Sequence, residues 1–171
     1  MNRKIISIAM FAAVLFVAVS FVSVSAQDAP TVLSGGELTR IVPPGFYFQG
    51  LSAPTQMRNS TAARFGSKRF VIVGIVDTSG YAADVRAKYE GFFITDSRIK
   101  INGSELKTGA YGFGFSDDGK MHILNLAGDE VLSTSTTKDS SLKRPRPLMM
   151  MTSGEGVRLY SGRDYVMISA K

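Results

Sequence analysis

The chain has 171 residues, a formal net charge of +6 at pH 7, one histidine and no cysteine. Without a thiol there is no disulfide, no cysteine nucleophile, no CxxC redox pair and no cysteine-based zinc site. A single histidine rules out a metal centre of three His ligands within one chain, and a modest, dispersed positive charge serves solubility as readily as it draws an acidic partner.

Arg3 and Lys4 precede an apolar run over residues 5–19, and Ser23, Val24, Ser25 and Ala26 follow. A basic flank, a short apolar core and small residues at a cut after Ala26 are the pattern of a secretory signal peptide. A spanning helix wants about 20 strongly apolar residues, more than this run holds. The expectation is therefore export to a periplasmic or extracellular location, with no transmembrane helix after cleavage. The absence of cysteine also removes a lipoprotein-type anchor.

Residues 27–36 (QDAPTVLSGG) are polar and rich in Gly and Pro, which predicts a flexible N-terminal lead to a single β-domain over residues 37–171. Pro43, Pro44 and Gly45 set up a strand beginning at Phe46. The polar stretch 52–67 fits either a long connection or an edge strand. Phe70, Val71, Ile72, Val73, Ile75 and Val76 are apolar on both pleat faces, which predicts a central strand covered on both sides.

Tyr81, Val85 and Tyr89 then fall at i, i+4 and i+8, predicting one short amphipathic helix near residues 80–90, with Thr78 or Ser79 as cap and Gly91 as its end. Extended character resumes at Phe92, and Ile99 and Ile101 alternate with Arg98 and Lys100. Asn102 and Gly103 form the strongest two-residue turn signal in the chain, because both tolerate the positive φ of a type I′ turn. In residues 110–115 Tyr111, Phe113 and Phe115 line one face, while Ala110, Gly112 and Gly114 leave the other nearly bare. Asp117, Asp118 and Gly119 turn the chain into a returning strand over 120–126. Further strands are predicted at 130–134, 148–152, 157–160 and 165–169, the last two closing a hairpin around Gly162. Short strands punctuated by turn residues predict an all-β fold, a mostly antiparallel sandwich or barrel, with that one helix.

The stretch 99–112 (IKINGSELKTGAYG) resembles a recurrent element of secreted bacterial β-domains of unknown function: a strand, an Asn-Gly turn, a Leu, then Gly-x-Tyr opening the next strand. The resemblance implies a bacterial exported β-domain and carries no catalytic residues with it.

Candidate chemistry is sparse. His122 is expected in a strand, on the same face as Leu124 and opposite Met121 and Ile123, as a structural or surface residue. A Ser–His–Asp arrangement is arithmetically open, but no G-x-S-x-G elbow occurs. Asp117 with Asp118 and Asp129 with Glu130 are the adjacent acidic pairs from which a glycoside hydrolase could be assembled, although both sit where turns are expected. Met149, Met150 and Met151 are soft Cu(I)-type donors, yet consecutive strand residues diverge, so core packing is the expected role and no cofactor or metal is implied. Lys143, Arg144 and Arg146 offer an anion-binding segment, and Tyr111, Phe113 and Phe115 offer either core or the lining of an apolar ligand cavity. The leading expectation is an exported, non-enzymatic binding or envelope-associated β-domain. The alternatives are a carrier of a small apolar ligand and a carboxylate-dependent hydrolase of envelope glycans. The partners envisaged are an envelope component, an acidic glycan or a small apolar ligand, with nucleic acid disfavoured.

Overall fold

The computed structural model describes residues 29–171. The signal-peptide segment at 1–26 lies outside them, as do Gln27 and Asp28. In chain order the elements are β1 (Thr31–Val32), α1 (Gly35–Ile41), β2 (Gly45–Phe48), β3 (Leu51–Phe65), β4 (Arg69–Val76), α2 (Ala83–Arg86), β5 (Gly91–Thr95), β6 (Ile99–Ile101) and β7 (Ser104–Leu106). There follow β8 (Gly109–Ser116), β9 (Lys120–Leu124), β10 (Glu130–Ser135), β11 (Thr137–Lys138), β12 (Arg146–Ser153), β13 (Gly156–Gly162) and β14 (Asp164–Ala170).

Two antiparallel sheets pack face to face. The larger runs β1-β3-β4-β5-β8-β9-β10 with β2 paired to β3, and the smaller runs β12-β13-β14-β6-β7 with β11 paired to β14. The expected all-β sandwich is thus the fold. The chain leaves the large sheet after Thr95, forms the β6–β7 hairpin in the small sheet, and returns at Gly109 to pair β8 beside β5. The turn of that hairpin is Asn102 and Gly103, with φ of +46° and +86°, as type I′ geometry requires.

The core between the sheets joins Val71, Val73, Phe93, Phe113, Met121 and Ile123 of the large sheet to Ile99, Ile101, Leu106, Leu159, Val166 and Ile168 of the small one. A second apolar cluster covers the other face of the large sheet: Phe46, Phe48, Val76, Tyr81, Tyr89, Phe92 and Leu124, with Ile72 and Val85 packed against it. This double cover explains why β4 is apolar on both faces.

Two expectations need correction. Residues 30–36 do not form a loose lead: Thr31 and Val32 pair with Arg64 and Ala63, Leu33 is buried, and Gly35 opens α1. The short β1 has a partner because the polar 52–67 stretch is a 15-residue strand whose far half carries the buried Ala62, Ala63 and Phe65. The helix predicted around 80–90 is only four residues long, with Ala82 rather than Thr78 or Ser79 as N-cap. It closes early because the Lys88 N–H turns back to the Val85 carbonyl and the Glu90 N–H donates to the Phe113 carbonyl at 2.7 Å, which draws the chain into the sheet. Tyr81 and Tyr89 are still buried as the stripe predicted, held by packing instead of by helical continuation. Phe48 and Tyr89 stack at 3.9 Å, and Tyr81 donates from its hydroxyl to the Phe48 carbonyl.

The bare face of β8 is where this second layer docks. A Cβ on Gly112 would lie 2.6 Å from the Phe48 ring, and one on Gly114 would lie 2.5 Å from the Lys88 carbonyl oxygen. The two glycines let the 86–90 segment press against β8 and hold its polar side chains beside the β8–β9 turn.

Candidate functional site

At that end of the large sheet a cleft of about 570 Å3 opens among Arg86, Lys88, Glu90, Phe115, Ser116, Asp117, Asp118, Lys120, His122, Glu130 and Ser133. Its floor is a hydrogen-bonded chain. His122 is only 5% exposed. Its Nε2 lies 2.8 Å from Ser116 Oγ, and its Nδ1 lies 2.6 Å from Glu130 Oε2. Ser116 Oγ also donates to Asp118 Oδ1, and Ser133 Oγ stands 3.4 Å from His122 Nδ1.

Strand geometry brings these groups together. Ser116 pairs with Lys120 and Gly114 with His122, so Ser116 and His122 are diagonal neighbours on one face of the hairpin. The opposite face carries Met121 and Ile123 into the intersheet core, as the alternation predicts. Glu130 reaches His122 through an irregularity: Glu130 pairs with Leu124 but Leu132 pairs with Ile123, leaving Val131 as an extra, exposed residue. A bulge of this kind re-aims the side chains around it.

The Ser116 hydroxyl has one hydrogen and three acceptors within reach of it: Asp118 Oδ1, His122 Nε2 and, more distant at 3.3 Å, the Lys120 carbonyl. When the hydrogen goes to Asp118, the contact to His122 is a bond only if Nε2 donates. Nδ1 must also donate, because Glu130 faces it with a carboxylate. The chain Asp118–Ser116–His122–Glu130 therefore has a hydrogen in every contact only when both ring nitrogens of His122 donate. Asp118 is well placed to hold its end: its hydrogen bonds from Ser116 and Lys120 keep its carboxyl down at about 2, with Lys120 Nζ at 2.9 Å. Lys88 Nζ approaches Glu130 at 3.7 Å. Arg86 and Asp117 have no ion pair among the described residues.

Glu90 borders the cleft from the other side. Burial raises its carboxyl above the ordinary 4.5, against a partial offset from the Phe115 N–H that donates to it at 3.2 Å. Because the folded state binds this proton more tightly than the unfolded chain, the associated stability is present below 4.5 and is lost as pH rises through the folded-state value. Glu90→Gln keeps an acceptor for Phe115 and removes the titration. Its unfolding free energy should fall less than that of the wild type as pH rises from 4.5 to 7, measured by urea denaturation across that range. Parallel profiles would contradict this.

Other residues singled out from the sequence lie elsewhere. Phe113 is fully buried in the intersheet core, with Tyr111 and Phe115 packed against that core, so the aromatic row helps to fill the sandwich. The physical reason is the pairing of a facing apolar sheet with that row. Of the three, only Phe115 touches the cleft. Lys143 and Arg144 are exposed in the loop before β12, and Arg146 opens that strand; none of the three lines the cleft, and none has an ion pair among the described residues. Met150 points into the core, whereas Met151 is 43% exposed, so the adjacent thioethers diverge. Of the two acidic pairs, Asp117, Asp118 and Glu130 reach the cleft, while Asp129 is tied back to Asn125 at 2.9 Å.

Sequence reasoning missed Ser116, Glu90 and the role of Glu130. The one usable signal was the hairpin itself: with Asp117-Asp118-Gly119 as the turn, Ser116 and His122 fall on one face. Among the described residues no three His, Cys, Asp or Glu side chains gather into a metal site, and no helix is long and apolar enough to cross a membrane. Comparison with protein-family models, with curated proteins and with solved structures found no match.

Proposed function

We propose that this chain is an exported binding domain whose ligand seat is the cleft between the 86–90 segment and the β8–β9 turn, and that the ligand is a charged saccharide of the cell envelope. The observation that carries the proposal is the fixed polar floor. Three strands and a turn converge hydroxyl, imidazole and carboxylate groups there, in an open cleft bordered by the aromatic edge of Phe115. Hydroxyl-rich ligands are recognised by arrays of this sort, in which preset polar groups give orientation and little rearrangement is needed on binding. Arg86 lines the cleft without an ion pair among the described residues, and Lys88 stands beside it, so the 86–90 segment offers positive charge to an acidic group on the sugar. Export rests on the basic and apolar N-terminal segment with its small-residue cut. A carboxylate-dependent hydrolase draws less support, because Asp118, Asp129 and Glu130 are each already engaged in hydrogen bonds.

Calorimetric titration with uronic-acid oligosaccharides, with neutral N-acetylglucosamine oligomers as the comparison, tests this reading. Saturable binding of the acidic series is expected, weakened about ten-fold in the Arg86→Ala/Lys88→Ala double variant, the size expected for two partly exposed charge contacts. No heat from either series would sink it.

A further inference from the structure

We propose that Ser116 is a nucleophile able to take an acyl group from an ester, with His122 as its base and Glu130 orienting the imidazole, and that Asp118 holds it in check. The inference rests on the cleft being a ligand seat and adds a covalent step to it.

The relay of serine, imidazole and carboxylate requires that each ring nitrogen have its own partner: one to take the serine proton, the other donating to the acid that fixes the tautomer and steadies the imidazolium. Here the partners are distinct, Ser116 on Nε2 at 2.8 Å and Glu130 on Nδ1 at 2.6 Å. The imidazole is nearly enclosed and the serine opens on the cleft. Chain order and fold are immaterial to such a constellation, which is recognised by roles and geometry.

Two states of the site share this geometry. In the held state the Ser116 hydrogen goes to Asp118 and Nε2 is not free to accept it, so no base is available to the serine. In the active state the Nδ1 hydrogen points to Glu130, and Ser116 donates to the lone pair of Nε2. Ser116 Oγ then bonds to the ester carbonyl carbon as its proton passes to Nε2. That proton goes on to the departing alkoxide as the C–O bond breaks, leaving an acyl-serine and an alcohol. Water, deprotonated by the same nitrogen, releases the acid and restores the serine. Lys120, paired to Asp118 and lining the cleft, provides positive charge for the developing oxyanion. Removing Asp118 leaves His122 Nε2 at 2.8 Å as the nearest acceptor for the serine hydrogen, ahead of the Lys120 carbonyl at 3.3 Å, so the loss of this residue should increase reactivity. A merely structural cluster would not show that.

The test is labelling of the purified protein by a fluorophosphonate probe, followed by intact mass and peptide mapping. Wild type should acquire one adduct on Ser116. Asp118→Ala, a change in an exposed turn, should label about ten-fold faster, the scale of one hydrogen bond to a charged group. Ser116→Ala should not label, and His122→Ala should label at least about a hundred-fold more slowly than wild type. An adduct elsewhere, an unchanged rate in His122→Ala, or Asp118→Ala labelling no faster than wild type would each overturn the inference. Failure here is separable from failure of the binding reading. Wild type that titrates with uronic-acid oligosaccharides, while neither it nor any variant labels, leaves the seat standing and removes the nucleophile.

Discussion

Gly91→Ala should destabilise the protein by about 3 kcal/mol, equivalent to a fall in Tm of roughly 10 °C for a domain of this size. Gly91 opens β5, in register with Ile75 on one side and Phe113 on the other. A Cβ there would fall onto the carbonyl oxygen of Gly74 and 2.8 Å from the Ile75 Cα. Both are backbone atoms of β4, so no side-chain rotation relieves the clash, and β4 must move from β5. The move also strains the bond from the Val76 N–H to the Glu90 carbonyl and so loosens the segment that borders the cleft. Gly36→Ala is the matched control, since a Cβ there meets nothing within 4 Å in a helical position. It should leave stability unchanged or raise it by a few tenths of a kcal/mol. Calorimetric scans of the two variants check the contrast, and similar melting points would defeat the argument.

Phe113→Ala should cost about 3 to 5 kcal/mol, the range for deleting a buried aromatic ring that its neighbours cannot replace. The ring has no exposed surface, sits between the sheets, and meets Phe115 edge to face at 6.3 Å. Urea denaturation should show a lower midpoint with little change in slope, because the native fold is kept and only its core is thinned. A variant as stable as wild type would mean that the ring lines empty space, and would restore the apolar-carrier reading of Tyr111, Phe113 and Phe115.

How much of this was legible depended on the range of the signal. The two-faced apolar run of β4 announced a central strand, and the structure covers it on both sides with separate apolar clusters. Asn102 and Gly103 announced a tight turn because their φ preference is a property of the residues themselves. The alternation of β8 placed its aromatics on one face and its glycines on the other, and both faces are used. By contrast, α1 has no side-chain cap and opens on two glycines, so its sequence gives little propensity. Packing of Leu38 against the second cluster sustains it. The long β3 is polar over its first half and reads as strand only beside its neighbours β2, β4 and β1.

The candidate site follows the same division. Its residue types were visible, and the β8–β9 turn was enough to put Ser116 and His122 on one face. Glu130 was named as half of an acidic pair, but its contact with His122 was hidden because a bulge at Val131, invisible to a period of two, turns it toward the ring. Glu90 was hidden because it joins the cleft only when the 86–90 segment is drawn down onto β8.

By itself the sequence determined the strand pattern, the tight turns, the absence of thiol chemistry and the presence of one imidazole, all of which depend on residues within a few positions of one another. Only the tertiary structure decided that this imidazole lies between a serine and a carboxylate. That outcome depends on a register shift and on the docking of one layer over another, and both are set by contacts between segments far apart in the chain.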